Sequence, residues 1–504
     1  MTSEHFAPQK RTIPIGALGS SQDSSFFNLG HNVWKTARAE KVAILVDAAA
    51  YFRQIQMAFE QAQREIWIVG WDFDPDILID PAAHDPQTLS HLLERALDRT
   101  PDLRVRILVW AFGPLYSGKS LKLFRKRGIL SHERVTIAFD LRHPFFGSHH
   151  QKLVTIDAGL GFVGGMDLTA RRWDDSDHRP DNPMRVTPDG KPYDPVHDVQ
   201  AAVSGPATQM IRALVRRRWY HATGEVVEPV ETNADQWPAS LPADFSGCQT
   251  ALSRTEPHRD RLRSRRESIN LIHDVLRQAR KHIYIEAQYL ASFGLAEVLL
   301  KRLYEEDGPE IVVVVTRSSH GLIEKLVMGD NRDRLIRKLK RADRHDRLWV
   351  MYPVVPDTAG AEREILVHSK VLIVDDLFLR VGSSNLNRRS EGLDTEADFS
   401  IEGRDDGCRK GIASVCARLL AEHLASTPSE VHNVLEATGS LRETIRRLNR
   451  STRGLRHFDI DLARGPTQAV AGTALADPRR PFHPIATVRG FVERVISRLF
   501  GLGA

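Results

Sequence analysis

The sequence predicts an α/β fold of two tandem layered domains, related by internal duplication and packed around one shared active site. Three observations carry the prediction. A seven-step pattern occurs twice, His150-Gln151-Lys152 running to Asp157 and His368-Ser369-Lys370 running to Asp375. Its context repeats at the same offset, since Val163-Gly164-Gly165-Met166-Asp167-Leu168 aligns with Val381-Gly382-Ser383-Ser384-Asn385-Leu386. Upstream, Ile66-Trp67-Ile68 aligns with Ile283-Tyr284-Ile285. Finally, helical spacing alternates with short apolar runs in both halves, the signature of sheets covered by helices.

Residues 1–42 are polar and read as a loose arm. The first domain, 43–225, opens with a helix whose apolar positions include Phe52, Ile55, Phe59 and Ala62, feeding a strand at 66–71. Strands follow at 105–111, 135–140 and 152–156. Residues 226–265 contain Pro229, Pro238 and Pro242 with few apolar repeats, and read as a linker. The second domain, 266–430, repeats the order, with a helix at 269–280 and strands at 283–286, 311–316, 348–352 and 371–374. Residues 431–504 form a helical and irregular C-terminal region. There Ile485, Val488, Val492, Val495, Ile496 and Leu499 share one helical face, compatible with an interfacial helix or one packed on the core.

At 504 residues the chain exceeds one ordinary core. Its 41% hydrophobic and 27% charged content excludes wholesale disorder. Cys248, Cys408 and Cys416 lack metal-ligand or redox spacing and are expected to be ordinary buried thiols. Apolar runs such as that at 311–315 have buried-strand length, far short of a bilayer span. The polar N-terminus lacks the apolar stretch of a secretory signal. A formal charge of +5 is concentrated at 259–266, 332–347 and 442–456, which favours polyanions but does not choose between anionic lipid and nucleic acid. Any one of these clusters also suits a solvated helix face.

The chemistry follows from the motif. In an extended strand, residues two apart point to one face, so His150 projects with Lys152 and His368 with Lys370. Asp157 and Asp375 fall beyond the strands, where a carboxylate either orients an imidazole or braces the loop. Gly164, Gly165 and Gly382 permit close backbone approach, and Asp167 and Asn385 occupy equivalent positions beside the pocket. His149 should face away and be structural. Paired histidines suit two-step displacement at phosphorus, one imidazole attacking and the other exchanging the proton with the leaving or entering oxygen. Lys152, Lys370 and Asn385 would hold the non-bridging oxygens. The two histidines are expected to have pKa values pushed apart. No metal and no cofactor is implied, because a lysine beside each histidine occupies the place of a cation, and activity is expected in the presence of EDTA. Gly-rich loops lack the ending of a nucleotide-binding P-loop, and Ser318-Ser319-His320-Gly321 reads as a strand-end loop.

These residues resemble the phospholipase D superfamily, specifically its eukaryotic-type branch, over roughly residues 43–430. The resemblance extends through Arg172-Trp173-Asp174, His197-Asp198-Val199, Gly205-Pro206-Ala207, Arg218-Trp219 and Asp394-Thr395-Glu396. Ile283-Tyr284-Ile285-Glu286-Ala287-Gln288-Tyr289 is similar to a family segment, except that Ala287 stands where the family has Asn, an expected change in the pocket wall. By position, the resemblance implies His150 as nucleophile and His368 as general acid/base. It further implies Lys152, Lys370 and Asn385 on phosphate, Asp157 and Asp375 in support, Asp167 at the substrate, and Glu396 as carboxylate partner of a motif histidine.

The implied fold is a pair of phospholipase D-like domains. The implied activity is hydrolysis of glycerophospholipids to phosphatidic acid through a phosphohistidine, with possible transfer to an alcohol. Alternatives are a cardiolipin synthase-type phosphatidyltransferase and a phosphodiesterase acting on nucleic acid. Expected partners are a phospholipid surface, anionic lipid favoured, with water or alcohol as acceptor, and the protein is expected to be a monomer. Nucleic acid is not the expected substrate. The expected location is cytoplasmic and peripheral to a membrane, or exported without a cleavable signal.

Overall fold

The strand Glu65–Gly70 sends Trp67 and Val69 into one apolar core and Ile66 and Ile68 into another. The same alternation recurs in Glu310–Val315, where Val312 and Val314 face one core and Ile311, Val313 and Val315 the other. Both faces of these strands are covered, so their sequences are continuous apolar runs rather than polar–apolar alternations. The computed structural model that places them describes residues 25–113, 128–144, 146–231, 235–257, 263–318, 329–450 and 452–470. The expected C-terminal helical face and His320-Gly321 lie outside the described residues.

Two mixed sheets organise the chain. The eight-stranded sheet runs Phe245–Ser246, Lys41–Val46, Val199–Ser204, Leu160–Gly164, Leu153–Ile156, Glu65–Gly70, Arg104–Trp110, Val135–Asp140. The eleven-stranded sheet contains the series Glu396–Glu402, Phe378–Gly382, Lys370–Val374, His282–Ala287, Glu310–Val315, Leu348–Pro356. This series matches Val199–Ser204 through Val135–Asp140 strand for strand. In each, the first four strands pair antiparallel with one another and the last two are added in parallel.

One core lies between the sheets. It joins Val163, Val199 and Val203 to Val371, Ile373, Val381 and Phe399, with the helices Thr208–Thr223 and Asp406–Leu424 at its sides. A second core packs the helices Asp47–Gln61 and Leu89–Arg99 on the outer face of the first sheet. A third packs Glu267–Gln278 and Phe293–Tyr304 on the outer face of the second.

Three expectations change. Residues 226–265 contain the strand Gln249–Glu256, seven residues of which pair antiparallel with Glu396–Glu402. The arm supplies Lys35–Arg38, which pairs with that same strand. These polar stretches become strands because the sheet edge supplies partners for their backbone groups, which side-chain periodicity does not report. The C-terminal region adds Gly454–His457 to Leu348–Pro356.

The cysteines also depart from expectation. Cys248 and Cys408 form a disulfide with Cα atoms 6.1 Å apart, while Cys416 is a buried free thiol. The bond ties the residue before Gln249–Glu256 to the first turn of Asp406–Leu424, 160 positions away, beyond the reach of any spacing rule. A cross-link of that span restricts the unfolded chain by roughly 2–4 kcal/mol. Thermal unfolding with and without reductant should therefore differ by several degrees in Tm. The paired variant Cys248→Ser/Cys408→Ser should show the reduced value in both conditions, and equal melting of the oxidised and reduced wild-type protein would mean that the sulfurs are not bonded.

Candidate active site

Each motif histidine is positioned by a short stretch of parallel pairing with the opposite sheet. His149 bridges Thr395, and the His150 amide donates to Thr395 O at 3.0 Å. Val367 pairs with His197, and the His368 amide donates to His197 O at 2.8 Å. The residue that follows in each partner segment is a carboxylate. Glu396 therefore stands beside His150, with Nδ1 3.0 Å from Oε2, and Asp198 stands beside His368, with Nδ1 2.6 Å from Oδ2. His150 Nδ1 also lies 3.0 Å from Ser383 O. All these ring contacts are made through Nδ1, and among the described residues Nε2 of both imidazoles is open to a substrate.

The lysines lie behind the histidines and are almost fully buried. Lys152 Nζ donates to His150 O at 2.8 Å and sits 3.2 Å from Asp167 Oδ2. Lys370 Nζ donates to His368 O and, at 3.3 Å, to Gln288 Oε1. Asn385, at the position matching Asp167, keeps its Oδ1 buried and without a hydrogen-bond partner. Glu396 is fixed by Ser383 Oγ at 2.5 Å and Ser390 Oγ at 2.6 Å. Gly165 has the required smallness, since a Cβ there would lie 2.1 Å from Asp198 Oδ1.

A family model described as "Cardiolipin synthase, PLD-like domain" matches residues 272–413. Phospholipase D A of Dictyostelium discoideum is 25% identical over 464 residues, covering 77% of this chain and 36% of that protein. Phospholipase D1 of Mus musculus is 31% identical over 143 residues, 27% of this chain and 13% of its own. These matches support the phospholipase D superfamily for this chain. The chain spans less than half the length of either of these relatives. The crystal structure of phosphatidylserine synthase from Haemophilus influenzae Rd KW20 covers 83% of this chain and 97% of its own, with a TM-score of 0.53. At 14% identity, that likeness concerns the fold alone.

The electrostatics of the site is asymmetric. Burial and the Lys152 and Lys370 ammonium groups hold His150 well below the usual imidazole range, and burial and Lys370 do the same to His368. Both imidazoles are thus moved in the same direction, because both face buried cations. The divergence lies in their carboxylates. Burial and Asp394 push Glu396 well up, whereas His368 and Lys370 outweigh burial at Asp198 and hold it low. Lys370 is pulled down to about 7 by burial, with Lys152 and Arg172 adding to the effect.

Asp157 and Asp375 do not meet the imidazoles. Each lies at the far end of its motif strand, roughly 20 Å of extended chain from its histidine. Both adopt left-handed backbone conformations, with φ of 48° and 53°. Asp157 accepts from the amides of Gln63, Arg64 and Glu65 at 2.9, 2.7 and 2.7 Å. Asp375 accepts from those of Arg280, Lys281 and His282 at 3.0, 2.8 and 2.9 Å. They brace the entry to the neighbouring strand, one of the two roles open to them from sequence.

Other placements follow. His149 turns away from the reaction space and pairs with Asp140 at 3.0 Å, where burial and Arg218 pull it down to about 4. Ala287 packs in the outer core of its sheet rather than in a pocket wall, because its position in the alternation puts it with Ile283 and Ile285. Two residues lacked an assigned role in the sequence reading. Asp198 was legible as the acid preceding Val199–Ser204, matching Glu396 at the head of Glu396–Glu402. Arg172 lowers both His368 and Lys370 and so adds a third cation near the site, its sequence signal being its place in the segment Arg172-Trp173-Asp174 that resembles the family.

Two outcomes follow. Asp375→Asn should lower Tm, at roughly 1.5–3 kcal/mol for each charge-assisted bond weakened, while leaving turnover per folded molecule within a few-fold of wild type. A large loss of turnover with unchanged Tm would instead make it a participant in the chemistry. Lys370 carries a lowered base pKa, so folding is penalised by its charge below pH 7 and the penalty fades as pH approaches the unfolded value of 10.5. Lys370→Met should accordingly raise Tm more at pH 6 than at pH 10 while eliminating turnover, and a lowered Tm at pH 6 would contradict this.

Proposed function

We propose that this chain is a phospholipase D-type phosphodiesterase in which two layered halves, related by duplication, share one active site. It hydrolyses the distal phosphodiester of glycerophospholipids at a membrane surface, giving phosphatidic acid and free head group. The observation that carries this reading is the crossed pairing of His150 with Glu396 and of His368 with Asp198. Each half holds the catalytic imidazole of the other, as a single two-histidine site requires. The matched strand order of the sheets supports the duplication, with halves at about 43–225 and 266–430. Relatives named phospholipase D support the substrate class.

In this mechanism Nε2 of neutral His150 attacks phosphorus as the bond to the head-group oxygen breaks. His368, as imidazolium, gives its Nε2 proton to that oxygen. Water then attacks phosphorus, loses a proton to His368 and releases His150. An alcohol in place of water gives the transfer product. The depressed pKa of His150 keeps its lone pair available. An ionised Asp198 at 2.6 Å stabilises the imidazolium on His368, and the phosphate of a bound substrate adds to that effect. Lys152, Lys370, Asn385 and Arg172 offset the charge on the non-bridging oxygens.

The description of the matching family model favours one second reading, phosphatidyl transfer to a phosphatidylglycerol acceptor. Incubation with labelled phosphatidylcholine and, separately, phosphatidylglycerol separates the two. Hydrolysis predicts phosphatidic acid with free head group from the former, and exclusive formation of cardiolipin from the latter would replace this reading. His150→Ala should abolish turnover and the acid-labile phosphoryl adduct. His368→Ala should cost about 10²–10⁴-fold while allowing the adduct to accumulate with substrates carrying a good leaving group. Full activity in either variant would refute the two-histidine mechanism.

A further inference from the structure

Behind the reaction centre, four side chains from four separate segments bring their donor atoms together. Asp47 stands at the head of Asp47–Gln61, His178 in a loop, His197 at the end of Val196–His197, and Glu422 in Asp406–Leu424. Their donor atoms all lie within 4.8 Å of one another. Glu422 Oε1 is 3.0 Å from His178 Nε2 and 2.7 Å from His197 Nδ1. Asp47 Oδ2 is 3.5 Å from His178 Nε2, and Asp47 Oδ1 is 3.3 Å from His197 Nδ1. In a tetrahedral zinc site with bonds of about 2.0–2.1 Å, donor atoms stand roughly 3.3 Å apart. The observed separations bracket that value.

Two further observations point to an ion. Asp47 Oδ2 is buried without a hydrogen-bond partner and faces the cluster. The second nitrogen of each imidazole is held by another buried carboxylate, His178 Nδ1 by Asp174 at 2.9 Å and His197 Nε2 by Glu286 at 2.9 Å. Carboxylates placed behind the rings in this way fix the tautomer and orientation of metal-binding histidines. Asp174 is in turn held by Arg185 at 2.8 Å, and Glu286 by Ser369 Oγ at 2.7 Å and Tyr284 OH at 2.7 Å.

Charge balance agrees. With neutral imidazoles, the four carboxylates of Asp47, Glu422, Asp174 and Glu286 face the single guanidinium of Arg185 and, at Glu286, His423 Nε2 at 3.1 Å, an excess of negative charge that a divalent ion would reduce. Each of these ring nitrogens meets Glu422 Oε1 and one oxygen of Asp47, so the four donors close on one space. We infer that Asp47, His178, His197 and Glu422 bind a structural divalent transition metal, zinc foremost, in a closed four-ligand site. Such an ion would staple Asp406–Leu424, which follows the second motif, to three segments of the first half. It would also support the loops bearing Asp198 and Ser369, without taking part in phosphoryl transfer.

The test is elemental analysis of the full chain from zinc-supplemented cells, purified without chelators or metal-affinity resin. About one metal per chain is expected, with at least a five-fold loss in Glu422→Gln and Asp47→Asn and full retention in His150→Ala. Protein produced with cobalt should show the visible absorption of a four-coordinate ion, and extraction of the metal under mild denaturation should lower Tm. Wild-type protein without stoichiometric metal would overturn the inference and leave an imidazolium–carboxylate network. Metal retained at the wild-type level by the Glu422→Gln/Asp47→Asn double variant would overturn it equally. Because His150→Ala retains the ion but lacks turnover, failure here is distinguishable from failure of the proposed function.

Discussion

Each motif imidazole takes its orientation from a carboxylate that belongs to the opposite sheet. Two residues of parallel pairing set that contact, Val367 beside His197 and His149 beside Thr395, so a slip of one position would turn Asp198 or Glu396 to the wrong face. The core between the sheets fixes the pairing by packing Val163 and Val199 against Val381 and Phe399. Substitutions in that core, far from phosphorus, therefore reach the histidines through the register.

The arrangement carries a stability cost. Lys152 and Lys370 are buried beside imidazoles that they depress, and only Lys152 has a carboxylate at the position that its counterpart fills with Asn385. Exchange of an acid for an amide leaves the Lys370 side of the site short of negative charge. The phosphodiester of the proposed function would supply that charge, so the same feature that burdens the empty protein would favour the occupied one. In the proposed mechanism, the opposite pKa directions of Glu396 and Asp198 would suit two similar histidines to different duties.

The aspartates of the repeated motif serve the frame. Asp157 and Asp375 each gather three consecutive amides at the entrance of the adjacent strand, which fixes the stagger between the motif strand and its neighbour. Their repetition reflects a repeated turn with positive φ, in which a short acceptor side chain can close on the backbone.

The sequence alone determined the α/β class, the strands around 66–71, 105–111 and 283–286, and the two histidine–lysine pairs, because period-two burial and residue spacing are local properties of the chain. Glu396 was legible through resemblance, and Asp198 lay within a quoted segment without a role. Tertiary structure decided which carboxylate serves which histidine, that Gln249–Glu256 completes a sheet, and that Cys248 meets Cys408. It also gathered Asp47, His178, His197 and Glu422 from positions spread over most of the chain. Such contacts depend on how two sheets pack, and a linear pattern carries no record of a distance that only the packed core creates.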